Sequence, residues 1–318
     1  MDISVIVPIY NVESVLERCL LSLFNQTKTD GVEFIFVNDA TEDGSMSVLC
    51  RVAAEYPQHN IRIVEHQTNR GLATARQTGF DTSIGDYIIH IDSDDWCERD
   101  MLEAVYAKAI EHDADIVACD FFDRDGNIFC NHHSDSKFEN LEGLISSNTP
   151  SPSLWSKLIR RELYLRNGLK CDNGINYGED TLLSPMLYYV ADKVSYLPKA
   201  YVHYTFRDES LTNNCDVNSF LEYIKVSYAW DSFFADTPEY PRLKSKICEF
   251  RLLQKHELLR NSRGVEQRKY NRMFPVSFGS VFGSKRLSVS MKVSFIFANM
   301  GLLVIFNILY GLRNKYIG

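Results

Sequence analysis

ISVIVPIYNVESVLERCLLSLF, residues 3–24, contains a strand, a turn and a helix in that order, and its pattern decides the fold class. Ile3 to Val7 is a near-continuous apolar run of buried-strand length, as expected of a strand covered on both faces. Pro8 to Asn11 turns the chain, and Asn11 is placed to cap a helix running to about Phe24. Outward from this stretch the same unit recurs. Phe34 to Val37 is a second buried run, followed by a polar loop (Asn38 to Ser45) and a helix to about Tyr56. Ile61 to Glu65 precedes a helix from Gly71 to about Thr82. Tyr87 to Ile91 precedes an acidic loop and a helix from about Asp100 to His112, and Asp115 to Cys119 supplies a fifth strand. Strands alternating with helices over short connections predict βαβ units, hence an α/β fold with a mostly parallel sheet and helices on both faces.

After Asp120 the rhythm breaks. Gly126 to Ser136 is polar and turn-rich, and SSNTPSPS (146–153) reads as a loop. A helix is expected near Leu158 to Arg166, another after Gly178, and two brief strands near Val194 to Leu197 and Tyr201 to Tyr204. From Val217 onward the pattern is helical, with Lys and Arg interleaved among Leu, Phe and Tyr. The expected organisation is an α/β half over 1–120, a second half of the same domain over 121–215, and a basic helical region over 216–318.

The 318 residues are 45% hydrophobic and 24% charged, enough apolar material for a sizeable core and incompatible with global disorder. The net charge of -8 argues against general nucleic-acid binding, but it conceals a division. From Glu239 onward the chain holds 15 Lys and Arg against 4 Asp and Glu, so the preceding residues carry a net -19. A basic tail on an acidic body suggests that the tail faces something anionic. The 8 cysteines include no CxxC pair, which reads as scattered reduced thiols rather than a zinc or disulfide framework. The start at Met1-Asp2-Ile3 has no basic leader before its apolar run, so no signal peptide is expected and the protein should work on the cytoplasmic side.

In an open α/β sheet, ligands bind beyond the carboxyl ends of the strands. There this chain places Pro8-Ile9-Tyr10-Asn11, Asn38-Asp39-Ala40-Thr41, His66 to Gly71, and Asp92-Ser93-Asp94-Asp95-Trp96. The first turn lacks GxGxxG, and GxxxxGK[ST], HExxH and GxSxG are absent, which removes the usual dinucleotide, P-loop, metalloprotease and serine-hydrolase signatures. What remains is the cluster Asp92, Asp94 and Asp95. Like charges this close repel unless a cation neutralises them, and hard ions such as Mg²⁺ or Mn²⁺ share carboxylates with phosphates. If strand geometry persists, Asp92 and Asp94 point the same way. The plain alternative is a solvated acidic loop capping the next helix.

The combination of motifs resembles the family 2 glycosyltransferases. VIVPIYN (5–11), FVNDATEDGS (36–45), NRGLATARQTGF (69–80) and DYIIHIDSDDW (86–96) are similar to that family's successive motifs. GEDT (178–181) stands where such proteins place a Glu-Asp pair. SKLIRREL (156–163) resembles their NKLxRREL, with Ser156 in place of Asn, and YVHYTFRDESLT (201–212) resembles their late aromatic-Arg-Ser segment. The resemblance covers about residues 1–212 and implies a GT-A-type, Rossmann-like fold, a nucleotide-sugar donor and sugar transfer with inversion.

By that resemblance, Pro8, Tyr10, Asn11 and Asp39 hold the nucleoside, Asp39 accepting a hydrogen bond from the base; otherwise Asp39 is a turn residue. Arg76 reaches the ribose or diphosphate, or is an exposed helix arginine. Asp94 and Asp95 contact ribose and metal, with Asp92 as a further ligand, and the ion is Mn²⁺ or Mg²⁺. Trp96 packs beneath the loop. Asp180 is the general base, with Glu179 the alternative or a residue serving the helix dipole. His203 and Arg207 touch metal or diphosphate, or are a structural histidine and a surface arginine.

VSFIFANMGLLVIFNILYGL (293–312) is uncharged and 20 residues long, but two asparagines dilute it and Lys or Arg flank it on both sides. It is expected to lie at an anionic membrane surface; a core or dimer helix and a spanning helix are the alternatives. The implied protein extends a lipid-linked or surface polysaccharide from the inner membrane face. A nucleotidyltransferase would want a Gly-rich basic loop near its start, and a receiver-like metal-binding module would not need Glu179-Asp180.

Overall fold

A computed structural model describes residues 1–134, 136–146, 149–171, 174–205 and 216–308. It divides the chain into two compact units, Met1–Arg207 and Asp208–Gly318. In the first unit the buried runs become strands: β1 (Ile3–Ile9), β2 (Val32–Asn38), β3 (Asn60–Glu65) and β4 (Tyr87–His90). They pair in parallel in the order β3-β2-β1-β4. Every residue of β1 is buried, because helices cover both faces. Val5, Val7, Phe34 and Phe36 face a core shared with Leu16, Leu20 and Leu49 of α1 (Glu13–Phe24) and α2 (Ser45–Ala53). Ile35 and Val37, one residue out of phase, meet Ala75 of α3 (Leu72–Thr82) on the other face. Period-two alternation therefore distributes one apolar strand between two helical layers.

The chain next forms β5 (Trp96–Cys97), α4 (Met101–His112), β6 (Ile116–Phe122), β7 (Ile128–Phe129) and α5 (Lys137–Ile145). After these come β8 (Lys157–Arg160), α6 (Arg161–Asn167), α7 (Glu179–Val190) and β9 (Val194–His203). Beyond β4 the sheet continues β8-β6-β9-β5, with β7 on β6. The helix expected over Leu158 to Arg166 begins only at Arg161, because KLIR is a strand. β4 and β6 run parallel with a gap between them, and β8 fills it antiparallel to both, Leu158 lying opposite Ile89 on one side and Val117 on the other. Its backbone completes two ladders that an early helix would leave unpaired. The two expected late strands are halves of β9. Cys119 pairs with Leu197 and Asp120 with Ala200, so Pro198 and Lys199 bulge outward between them.

The helix cap expected from Asn11 is also corrected. Val12 precedes α1, and Asn11 adopts φ 52. The cap comes from the neighbouring loop: Asp43 accepts from the Glu13 N–H at 2.9 Å, while Glu13 accepts from the Gly44 N–H ahead of α2 at 2.9 Å. Two helix N-termini thus satisfy each other.

The second unit is helical: α8 (Val217–Phe234), α9 (Tyr240–Asn261), α10 (Gly264–Met273), α11 (Phe278–Gly283) and α12 (Val289–Asn299). A capping box of Asp216 and Ser219 starts α8. The uncharged tail is not one long helix. α12 stops at Asn299, Gly301 takes φ 79, and a separate helical turn covers 303–308. Phe295, Ala298, Leu303 and Phe306 enter a core with Leu252, Leu258 and Leu259, so the segment is partly an interior element. Residues 309–312 lie outside the described residues, and among those described no helix is long and apolar enough to cross a membrane.

Candidate functional site

The carboxyl ends of β1, β2, β3 and β4 converge as the pattern requires. Pro8 is buried within β1 opposite Val37, while Tyr10 just beyond it is 45% exposed. Asn11 donates its N–H to Thr41 Oγ1 at 2.8 Å, joining the loops after β1 and β2. Asp43 is partly buried, yet hydrogen bonds from Ser45, Glu13 and Thr41 outweigh that burial and hold its carboxyl below the usual range.

Asp39 is buried and turns toward the loop before α3. Its Oδ1 accepts from Arg70 N–H at 2.8 Å and faces His66 Nδ1 at 2.6 Å, while Oδ2 accepts from Gly71 N–H at 2.8 Å. A carboxylate has about four acceptor positions, and among the described residues three are filled, two on Oδ1 and one on Oδ2. His66 in turn faces Thr78 Oγ1 through Nε2 at 2.9 Å. His66 was visible in the sequence only as one polar residue of a loop; its part in fixing Asp39 depends on the register of β3 against β2. Gly71, at φ 88, is required for a second reason. A Cβ there would come 2.6 Å from Asn176 Oδ1, so the segment leading into α7 rests on the glycine.

The largest departure is Arg76. It is not an exposed helix arginine but 2% exposed and clamped between carboxylates. Nη2 donates to Asp92 Oδ1 at 2.5 Å and Nη1 to Glu179 Oε1. Burial works against its charge, but Asp92, Glu179 and Asp180 together raise its pKa. Glu179 is pushed up to about 7 by burial, which the attraction of Arg76 only partly offsets while Asp180 adds repulsion. This cluster joins the end of β4 to the start of α7, two points far apart in sequence.

Asp92 and Asp94 do not share a strand face, because β4 ends at His90 and Asp92 to Asp95 forms a turn closed by Asp95 N–H donating to Asp92 O at 3.1 Å. Asp92 and Asp94 remain partly exposed, whereas Asp95 points inward. Asp95 Oδ1 accepts from Thr205 N–H at 2.8 Å and its buried Oδ2 has no partner among the described residues. Burial first, then Asp92 and Asp94, raise its pKa well above the usual carboxylate range. Among the described residues no three carboxylate, histidine or cysteine groups form a ready cage for a metal. Two partly exposed carboxylates do fit a hard divalent ion of the kind that completes its shell with water and phosphate oxygens.

Asp180 is partly exposed, in contrast to Glu179, and its Oδ1 accepts from Thr181 N–H at 2.6 Å. Beneath this region lies Lys157, 1% exposed, donating to Ser151 O at 2.7 Å and Ser153 O at 2.6 Å. Burial lowers its pKa to about 7 against the attraction of Asp180. Lys157 stood inside a quoted motif, but nothing in the sequence showed that its ammonium is interior. His203 lies flat between Trp96, at 3.5 Å, and Phe122, at 4.1 Å, with Nε2 facing Glu98 Oε1 at 2.7 Å. It holds the strand-end pair β5 to β9, and Trp96 stacks on it with Arg18 over the indole ring at 5.9 Å. Arg207 lies outside the described residues. Arg18, not singled out from the sequence, donates to Thr205 Oγ1 at 2.6 Å and to Asp94 O at 3.4 Å.

The family model described as glycosyl transferase family 2 matches residues 4–168. The chain is similar to the glycosyltransferase GlyA of Streptococcus pneumoniae, 35% identical over 224 residues that make up 66% of this chain and 31% of that protein. It is also similar to the uncharacterized glycosyltransferase EpsJ of Bacillus subtilis, 34% identical over 66% of this chain and 62% of that one. The match spans less than two thirds of either relative. Among solved structures, S. aureus TarS 1-349 in complex with UDP-GlcNAc shares the fold with a TM-score of 0.65 at 16% identity, over 99% of this chain and 92% of that one. The mannosyltransferase PcManGT of Pyrobaculum calidifontis, in complex with GDP-Man and Mn²⁺, does so with a TM-score of 0.55 at 16% identity, over 96% and 86%. At such identities the likeness is one of fold: a mixed α/β architecture of the GT-A type.

Proposed function

We propose, since the chain belongs to glycosyl transferase family 2, that its first unit moves a sugar from a nucleoside diphosphate to an acceptor hydroxyl with inversion. The observation that carries this reading is the Arg76 bridge, which ties donor-side Asp92 to acceptor-side Glu179 and so brings partly exposed Asp94 and Asp180 to one edge of the sheet. Asp39, with one acceptor position left, suits the imide N–H of uracil, and a UDP-sugar is favoured. The UDP-GlcNAc complex of a protein with the same fold supports that choice. Tyr10 and Asn11 border the nucleoside. Asp94 and Asp92 would hold Mn²⁺ or Mg²⁺, which offsets charge on the departing diphosphate. Asp95 buttresses the loop from within.

Asp180 is the general base, because Glu179 is spent on Arg76. The acceptor oxygen attacks the anomeric carbon from the face opposite the diphosphate, the bond to the diphosphate breaks with its electron pair, and Asp180 takes the hydroxyl proton. The acceptor is a saccharide or lipid-linked saccharide of a surface polysaccharide, met on the cytoplasmic face of an anionic membrane. Mixing the protein with UDP-, GDP- and dTDP-sugars and Mn²⁺, with release of free nucleoside diphosphate as readout, tests the reading. One donor should be consumed, and EDTA should stop it. No consumption, and no thermal stabilisation by any of these nucleotides, overturns it.

A further inference from the structure

The stretch 263–308 concentrates two features that globular surfaces normally keep apart. It holds seven Lys and Arg against one acid, Glu266. Among the described residues it also holds nine of the nineteen exposed large hydrophobic side chains. These are not scattered singly. α11 turns Val281 into the core and leaves Phe278 and Phe282, one helical turn apart, 49% and 56% exposed. α12 buries Phe295 and Ala298 and leaves Val289 at its start 79% exposed. Two contacts set the helices side by side. Lys292 Nζ donates to Phe282 O at 3.2 Å, and Asn299 Nδ2 donates to Val276 O at 3.3 Å, just ahead of α11. Lys285 and Arg286 occupy the connection between them.

We propose that α11, α12 and their connection form a docking face for an anionic lipid surface, with Phe278, Phe282 and Val289 entering the acyl boundary and Lys285, Arg286 and Lys292 meeting the headgroups. The proposal rests on the membrane-side reading given above and assigns it to named residues. Apolar tips beside basic heads match the layering of a bilayer interface, where hydrocarbon begins just beneath the phosphate. A second copy of the chain fits less well. A two-fold interface sets each patch against itself, and here that would oppose two net charges of +3, from Lys285, Arg286 and Lys292 on each copy.

Flotation of the full chain with phosphatidylcholine vesicles, with and without phosphatidylglycerol, tests the face. The protein should float with the anionic vesicles and stay behind with the neutral ones. Lys285→Gln, Arg286→Gln and Lys292→Gln together should weaken partition on the order of 100-fold. Phe278→Ser with Phe282→Ser should weaken it by about 10-fold and leave more of the remainder salt-sensitive. Both variants should keep donor consumption, since none of these residues belongs to the site, and a cooperative thermal melt, loss of the exposed Lys292 bond to Phe282 O lowering the melting temperature only slightly. A parent that ignores anionic vesicles, variants that float like the parent, or a dimer that the Phe variant dissociates would each overturn the proposal. If the parent floats yet consumes no nucleotide sugar, the enzymatic reading fails and the docking face stands.

Discussion

Arg76 carries one positive charge between two carboxylates, and Asp180 follows directly on the helix, so negative charge is in excess there. Arg76→Met would strand Asp92 and Glu179 without a cation, and losing one partner of a buried pair costs about 3–5 kcal/mol. Urea denaturation should show that loss, and adding Glu179→Gln should restore part of it. The pH dependence has a definite sign. Glu179 is raised from 4.5 to about 7 in the folded chain, so the folded state binds more protons between those values. Its contribution to stability is complete below about 4.5 and is lost as pH rises through 7. Glu179→Gln should therefore flatten the fall in melting temperature between pH 5 and 8; an unchanged slope would mean that another group titrates there. Asp180→Asn keeps shape but removes the proposed proton acceptor, and transfer should fall by roughly 10²–10⁴-fold with nucleotide affinity held. Affinity collapsing while turnover persists would move the base elsewhere.

α3 lies so close to the sheet that only glycine is accommodated at position 79, where a Cβ would come 2.3 Å from Ile6 Cγ2. Gly79→Ala should cost about 1–3 kcal/mol through overpacking, and Ile6→Ala should relieve it in a double-mutant cycle. Additive effects in that cycle would mean that the helix and strand do not meet there. Gly79 belongs to a motif read from the sequence for its chemistry, yet its packing role was invisible without the register of β1. Elements whose signal is local were legible: the parallel strands announce themselves by apolar runs, and α3 by the Gly71 start. β8 was not, because KLIRREL fits a helical period equally well and only the gap between β4 and β6 selects the strand. The shared strand face expected of Asp92 and Asp94 was misread, since where β4 ends depends on the Asp95-to-Asp92 bond. The Arg76 bridge spans more than a hundred residues of sequence, and no pattern within one segment encodes such a contact.

At the scale of the molecule, the charge boundary falls inside the helical unit: residues 208–238 hold one Lys against six Asp and Glu, and the basic excess begins only at 239. The uncharged tail nevertheless does more than present a surface. A chain ending before Ser288 would lose Phe295, Ala298, Leu303 and Phe306, all interior to the helical unit. At about 1.5–3 kcal/mol for each large side chain, the three largest sum to roughly 5–9 kcal/mol, comparable to the whole stability of a domain. Truncation should therefore unfold α8 to α11 rather than trim a passive anchor. The expected result is a loss of helical ellipticity and rapid proteolysis beyond position 216. Nucleotide binding by Met1–Arg207 should survive, because the core under its sheet is built from residues 3–202. Release from vesicles by such a truncation would then report unfolding as much as lost contact, which is why surface substitutions are the cleaner probe of docking. A truncated chain with full helicity and protease resistance would show that the tail packs too loosely to hold the unit together.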